Sequence, residues 1–408
     1  MTAFSYYGAT NDISGVTTWL EGLLRHLADL HEPTSLHLHH FGQHPHEGTL
    51  CQAATSLGIQ VSAITLPSTT RLAVRDTLDF LNRTRPSVFL PQALPAPHFA
   101  ACLAANAGLP WVLTIHSDDP EYWALADKAA PTREHGVWVA VSEAIAAEAR
   151  HRYPDADVRI IPYGVQIPSE SAIFRSDPFL IAYSGRMVEE QKRVHKVLDV
   201  FMAACHLSNK IQAVFIGDGR ERVALEKRVA VAGLADRIRF TGRLTPEEAG
   251  IKLLEAQAFL LMSDFEGLPV ALIEAMARGV VPVVRHIRSG IPEVVHHETT
   301  GLLMDENPRS AAEALADLAD NQDSWQAMSH AARGIIEQGY SQESCMRQWI
   351  GLIAELSARS TVRYPLPVPV FPKLPAYDKR LWKFDQRTPV SLRKFKRKLE
   401  KFMTTFKS

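Results

Sequence analysis

Residues 264–279 read Asp264-Phe-Glu-Gly-Leu-Pro-Val-Ala-Leu-Ile-Glu-Ala-Met-Ala-Arg-Gly279. The apolar run Ala258–Met262 stands just before them and predicts a buried strand. Pro269 suits the first turn of a following helix, where its missing N–H is no loss. Gly267, with no side chain, lets a ligand come close to the backbone. The free amides of that turn, together with the helix dipole, form an anion site. Glu266 falls in the loop before the helix and Glu274 inside it, with seven residues between them.

The same strand–helix alternation extends in both directions. Downstream lies a strand at Val281–Val284. Upstream are strands at Leu180–Ser184, Ala213–Ile216 and Ile238–Phe240, with helices near Val194–Cys205 and Arg220–Ala232. Towards the N-terminus, strands are predicted at Ala3–Tyr7, Ser35–Phe41, Ser87–Leu90, Trp111–Ile115, Val137–Val141 and Val158–Ile161. A helix covers Thr17–Leu30. Alternation of this kind implies parallel sheets, whose ligands sit beyond the C-terminal strand ends. The reading is α/β, with Rossmann-like domains at 1–167 and 179–339 and a cleft between them. Residues 168–178, without periodicity and with two prolines, read as the interdomain linker. Tyr340–Leu356 supplies a helix returning to the first domain. Residues 358–408 form a proline-rich connector outside any domain core, then a basic amphipathic helix over Pro389–Phe406.

A length of 408 residues fits two domains of ordinary size, and 46% hydrophobic with 22% charged residues is a globular mixture. The net charge of -1 argues against a nucleic-acid partner, but it is unevenly placed. Lys373–Ser408 carries 12 Lys or Arg against 3 Asp or Glu, or +9, which leaves -10 for the rest. Such a tail suits an anionic partner. The four cysteines are widely spaced and imply a reducing compartment, with neither a disulfide framework nor a zinc site. Neither a leader nor an 18-residue apolar run is read, so the expected location is cytoplasmic.

The setting of Glu266 and Glu274 resembles the EX7E motif of retaining GT-B glycosyltransferases, and its surroundings resemble glycosyltransferase family 4. Ser184-Gly-Arg186, Ile216-Gly-Asp-Gly219, Phe240-Thr-Gly-Arg243, Ser289-Gly-Ile-Pro-Glu293 and Thr300-Gly-Leu-Leu303 fit in order and spacing. The resemblance implies a GT-B fold and transfer of a sugar from a nucleotide donor to a glycan or lipid-linked acceptor. It implies retained configuration and no metal or other cofactor. Glu266 would contact the donor sugar and Glu274 the ribose hydroxyls. Arg186 and Lys192 would hold the diphosphate, whose charge grows as the glycosidic bond breaks. His116, in Thr114-Ile-His116, would lie near the transferred sugar. Gly15, Gly185, Gly217, Arg243, Gly267 and Leu268 would complete the donor site. Tyr163-Gly-Val-Gln166 departs from the family's Asn-Gly-Val-Asp.

Two further patterns are set aside. His37, His39, His40, His44 and His46 read as decoration of a strand edge and loop, and Asp155-Ala-Asp157 as a surface loop rather than a metal-binding DxD. The rival readings are a sugar phosphorylase, an epimerase (disfavoured by the Glu pair) and a non-catalytic sugar-binding scaffold. The basic tail would touch anionic membrane at the inner face.

Overall fold

The computed structural model describes residues 1–8, 14–41, 44–67, 69–130, 136–375 and 381. The amphipathic stretch over Pro389–Phe406 lies outside them. Among the described residues are two all-parallel sheets of seven and six strands.

The first sheet is ordered β3-β2-β1-β4-β5-β6-β7. Its strands are β1 Thr2–Gly8, β2 Thr34–His40, β3 Gln60–Thr65, β4 Val88–Pro91, β5 Trp111–Ile115, β6 Gly136–Ala140 and β7 Asp157–Ile160. The second is ordered β10-β9-β8-β11-β12-β13. Its strands are β8 Phe179–Ser184, β9 Ile211–Ile216, β10 Ile238–Phe240, β11 Ala258–Leu261, β12 Val281–Arg285 and β13 Leu302–Met304. Central strands such as β5, β6 and β11 are buried along their whole length, because helices cover both faces of a parallel sheet.

The helix Gly15–Asp29 shows how sequence sets local structure. Ser14 and Thr17 cap it reciprocally: Thr17 N donates to Ser14 Oγ at 3.2 Å and Ser14 N to Thr17 Oγ1 at 2.7 Å. Leu20, Leu23, Leu24 and Leu27 bury one face of this helix in a core with Phe4, Leu36 and Leu38. Each such leucine contributes about 1.5–3 kcal/mol. The opposite face of the same sheet packs Phe80, Phe99, Trp111 and Trp138.

Two expectations change. His37, His39 and His40 do not decorate an edge: β2 runs between β1 and β3, and all three side chains are buried. His44 and His46 are exposed. The proline-rich connector also belongs to the first domain's core. Asn82 clamps the Leu366 backbone, donating to its carbonyl at 3.0 Å and accepting from its N–H at 2.5 Å. Tyr364 donates to Pro86 O at 2.7 Å, and Leu366 is 3% exposed. Proline removes backbone donors but leaves side chains free to fill a groove.

Before that segment the chain crosses back to the first domain. Val165 N donates to Tyr340 O and Gln342 N to Val165 O, and the helix Gln342–Arg359 follows. Its Trp349 meets Trp19 at 5.1 Å between ring centroids, and Glu355 pairs with Arg159 through two contacts of 2.6 and 2.8 Å.

Candidate functional site

Residues following the C-terminal ends of β5, β7, β8, β9, β10 and β11 line a cavity of about 380 Å³ between the two sheets. The starts of two helices, Gly15–Asp29 and Val270–Ala277, face each other there. A Cβ on Gly15 would meet Val270 Cγ2 at 3.0 Å. Neither first turn holds an acidic residue, so no acid of their own first turns offsets the positive ends of these two helices.

Lys192 and Glu266 meet in this cavity, Nζ to Oε1 at 2.6 Å. Glu266 is 5% exposed. Lys192 ends the one-turn helix Glu189–Lys192, and Arg193 follows with a left-handed φ of 50°. A brace fixes this turn to the Glu266 loop. Asp264 N donates to Gln191 O at 2.9 Å, Gln191 Nε2 donates to Phe265 O at 3.2 Å, and Asp264 ion-pairs with Arg193 and Arg285. Arg186 is exposed at the rim, its guanidinium 3.5 Å from Gln191 Oε1.

Glu274 lines the cavity half-buried. Burial pushes its carboxyl up to about 7, against a smaller downward pull from Arg278. Close packing explains the glycines. A Cβ on Gly217 would fall 2.3 Å from Gly185 O, and one on Gly267 would fall 2.2 Å from His116 O. Leu268 is buried beside Gly267, while Arg243 is exposed at the cavity edge.

His116 also lines the cavity, yet both its ring nitrogens are engaged. Nδ1 faces the Tyr163 hydroxyl at 2.5 Å and Nε2 faces Gln92 Oε1 at 2.8 Å. The amide oxygen only accepts, so Nε2 carries the proton and Nδ1 accepts from the phenol. Burial, with a smaller effect of His98, lowers the imidazole to about 3, which keeps it neutral. Contact between His116 and a sugar hydroxyl therefore requires exchange of one of these bonds.

The two domains are clasped beside the cavity. The Glu293 carboxylate accepts from Glu143 N and Ala144 N, each at 3.1 Å, at the start of the first-domain helix Glu143–Arg152. Arg288 pairs with Glu148 at 2.8 Å and Asp118 at 3.1 Å. Asp157 of the DxD opens edge strand β7, at the strand end opposite the cavity, and pairs with Arg159.

Sequence reading missed Gln92, Gln191, Arg193, Asp264 and Arg285. Gln191 and Arg193 flank Lys192, and Gln92 directly follows β4, so placement at a C-terminal strand end was the available signal.

A model described as glycosyl transferases group 1 matches residues 168–335, and one described as glycosyltransferase family 4 matches residues 13–167. The amylovoran biosynthesis glycosyltransferase AmsK of Erwinia amylovora is 33% identical over 191 residues, 44% of this chain and 46% of that protein. A GDP-mannose-dependent phosphatidylinositol monomannoside mannosyltransferase of Mycobacterium tuberculosis is 34% identical over 128 residues, 29% of this chain and 33% of that protein. The match thus spans less than half the length of these two relatives. The crystal structure of Anabaena HepE with UDP and glucose superposes with a TM-score of 0.71 at 17% identity, covering 86% of this chain and 99% of that one. The shared architecture is the GT-B fold of paired α/β domains.

Proposed function

Because the chain belongs to glycosyltransferase family 4, we propose that it transfers a sugar from a UDP- or GDP-sugar to a glycan or lipid-linked acceptor, with retention of configuration. The observation that carries this reading is the Lys192–Glu266 pair, which lines the same cavity as two helix N-termini. An anionic diphosphate fits the helix ends and Lys192, and Glu266 is then free for sugar hydroxyls. Arg186, across the rim, adds a second cation. Glu274 stands one helical segment deeper, where a ribose diol can reach it. Arg243 and the Gly217 backbone border the base, and Leu268 with Gly267 walls the sugar side.

In the transfer step the bond between the anomeric carbon and the diphosphate oxygen breaks. The acceptor oxygen bonds to that carbon from the same face, and its proton passes to the departing phosphate oxygen. Lys192, Arg186 and the helix ends stabilise the growing phosphate charge, so the step needs no metal. Activity that survives EDTA, and a retained anomer seen by NMR in the product, are the expected results. The basic tail holds the enzyme at an anionic membrane on the cytoplasmic side, where lipid-linked acceptors lie. Among the described residues, no helix is long and apolar enough to cross that membrane.

The experiment is a thermal-shift panel with UDP, GDP, ADP and dTDP on wild type and Glu274→Ala. A nucleotide at about 100 times its Kd stabilises by roughly 2.7 kcal/mol. One nucleotide raising Tm in wild type and losing that effect in Glu274→Ala supports the site. No shift with any of the four, even at millimolar concentration, argues against it.

A further inference from the structure

His37 and His39 project from the same face of β2, two residues apart, towards Asp76 on the helix Thr70–Thr84. One ligand atom from each of the three lies within 4.8 Å of the others. None of these residues lines the donor cavity.

The hydrogen bonding around this trio is incomplete as it stands. His37 Nδ1 faces Ser62 O at 3.1 Å, and its Nε2 faces Asp76 Oδ2 at 2.7 Å. Both neighbours are acceptors, so a neutral imidazole satisfies only one of them. His39 is completely buried, and neither of its ring nitrogens has a hydrogen-bond partner; its Nε2 stands 3.4 Å from the same Asp76 oxygen.

We infer that His37 Nε2, His39 Nε2 and an Asp76 oxygen form a binding site for one divalent transition-metal ion, Zn2+ by preference. A cation there removes the fault at His37 and one of the two at His39, whose Nδ1 keeps no partner. It occupies His39 Nε2, and it replaces the second proton on His37, whose Nδ1–H then donates to the Ser62 carbonyl. A backbone carbonyl behind a ligating imidazole is the usual support that fixes tautomer and ring orientation. Two imidazoles and a carboxylate match zinc chemistry. Bonds of about 2.0–2.1 Å in tetrahedral array put ligand atoms about 3.3 Å apart. The 3.4 Å separation already meets that spacing, and the 2.7 Å one must open slightly. Phe80 stacks on His37 at 4.7 Å and walls the site, while the Asp76 side chain, 28% exposed, leaves a path for the ion and a water as fourth ligand. The ion would tie the sheet to its covering helix, apart from the transfer chemistry.

The test uses the full chain without an affinity tag, stripped with a chelator and titrated with ZnCl2 and, separately, CoCl2. Expected are one tight Zn2+ per chain, a visible four-coordinate Co2+ spectrum, and a Zn2+ affinity at least tenfold weaker in Asp76→Asn. His44→Ala, at an exposed histidine, should bind as wild type does. Zinc binding equal in wild type and Asp76→Asn would overturn the inference. So would a wild type that takes up no stoichiometric Zn2+, with NMR showing a doubly protonated His37. The Co2+ spectrum of wild type decides the matter even if the variant folds poorly.

Discussion

Lys192 Nζ and Glu266 Oε1 are 2.6 Å apart inside the cavity, so the cation proposed for the diphosphate is held by the acid proposed for the sugar. On the proposed reading, donor binding exchanges this pair for two new ones. Removing one partner of a largely buried pair strands the other charge, whereas removing both can be nearly neutral. Lys192→Met should therefore lower Tm, and the double variant Lys192→Met with Glu266→Gln should recover much of it. Activity should not follow: both variants should lose about a hundredfold or more in kcat, roughly 3 kcal/mol in the barrier. Melting curves and steady-state kinetics on the same samples check this. A double variant that regains turnover would show the pair to be structural only.

Gly267→Ala tests the close approach of the domains. Its Cβ would sit 2.2 Å from His116 O, a backbone atom that cannot swing away. Overpacking of this kind costs about 1–3 kcal/mol. Both Tm and nucleotide affinity should fall. Gly334→Ala is the control, since nothing lies within 4 Å of its Cβ position in the helix Gln322–Gly339. There the substitution should stabilise by about 0.5–1 kcal/mol.

The parts legible in the sequence were those whose signals are local. Within residues 258–279 a strand end, a glycine, a helix-starting proline and the Glu266–Glu274 pair fall in one unit, and the fold places them as one. The strands β3 and β13 escaped because an edge strand is half-exposed or very short and carries little apolar pattern. The alternation Leu36-His-Leu-His39 predicts a strand whose histidines read as edge decoration, but the helix Thr70–Thr84 covers the histidine side, a fact of tertiary packing. Likewise, the partners of His116 lie 24 and 47 residues away, where spacing has no meaning until the chain folds.

Tyr163, standing where the family has Asn, gives its hydroxyl to His116 Nδ1. Tyr163→Phe keeps the ring but leaves a buried acceptor unpaired, which costs about 1–3 kcal/mol. A lower Tm with the His116 ring still neutral, read by NMR between pH 5 and 8, is expected. An unchanged Tm would mean that the bond contributes nothing net.

Residues 382–408 hold nine Lys or Arg against two acids, and each basic side chain near an anionic surface contributes about 1 kcal/mol. The full chain should sediment with vesicles containing anionic lipid, and 0.5 M salt should release it. The comparison protein should end at Leu381, which keeps the buried Leu366 and Leu381 in the first domain. That shorter chain should stay in solution. Equal sedimentation of both would remove the tail from membrane attachment.

Glu274 gives the apoprotein a pH dependence whose sign can be worked out. Its carboxyl moves from an ordinary 4.5 to about 7 on folding. A group raised in the folded state contributes its stability below the unfolded value and loses it as pH rises through the folded one. Between pH 4.5 and 7, wild type should therefore weaken relative to Glu274→Gln, which cannot ionise. The gap should reach up to about 3 kcal/mol by pH 8.5. Nucleotide should reverse the trend. In the proposed ribose contact the hydroxyls donate to the carboxylate and favour its charged form, so the stabilisation by bound nucleotide should grow from pH 5.5 to 8.5 in wild type and stay flat in Glu274→Gln. Melting temperatures across that range, with and without the nucleotide selected by the panel, measure both effects. Parallel curves for the two proteins without ligand would mean that the carboxyl is better solvated than its burial implies. Parallel ligand effects would take Glu274 away from the ribose.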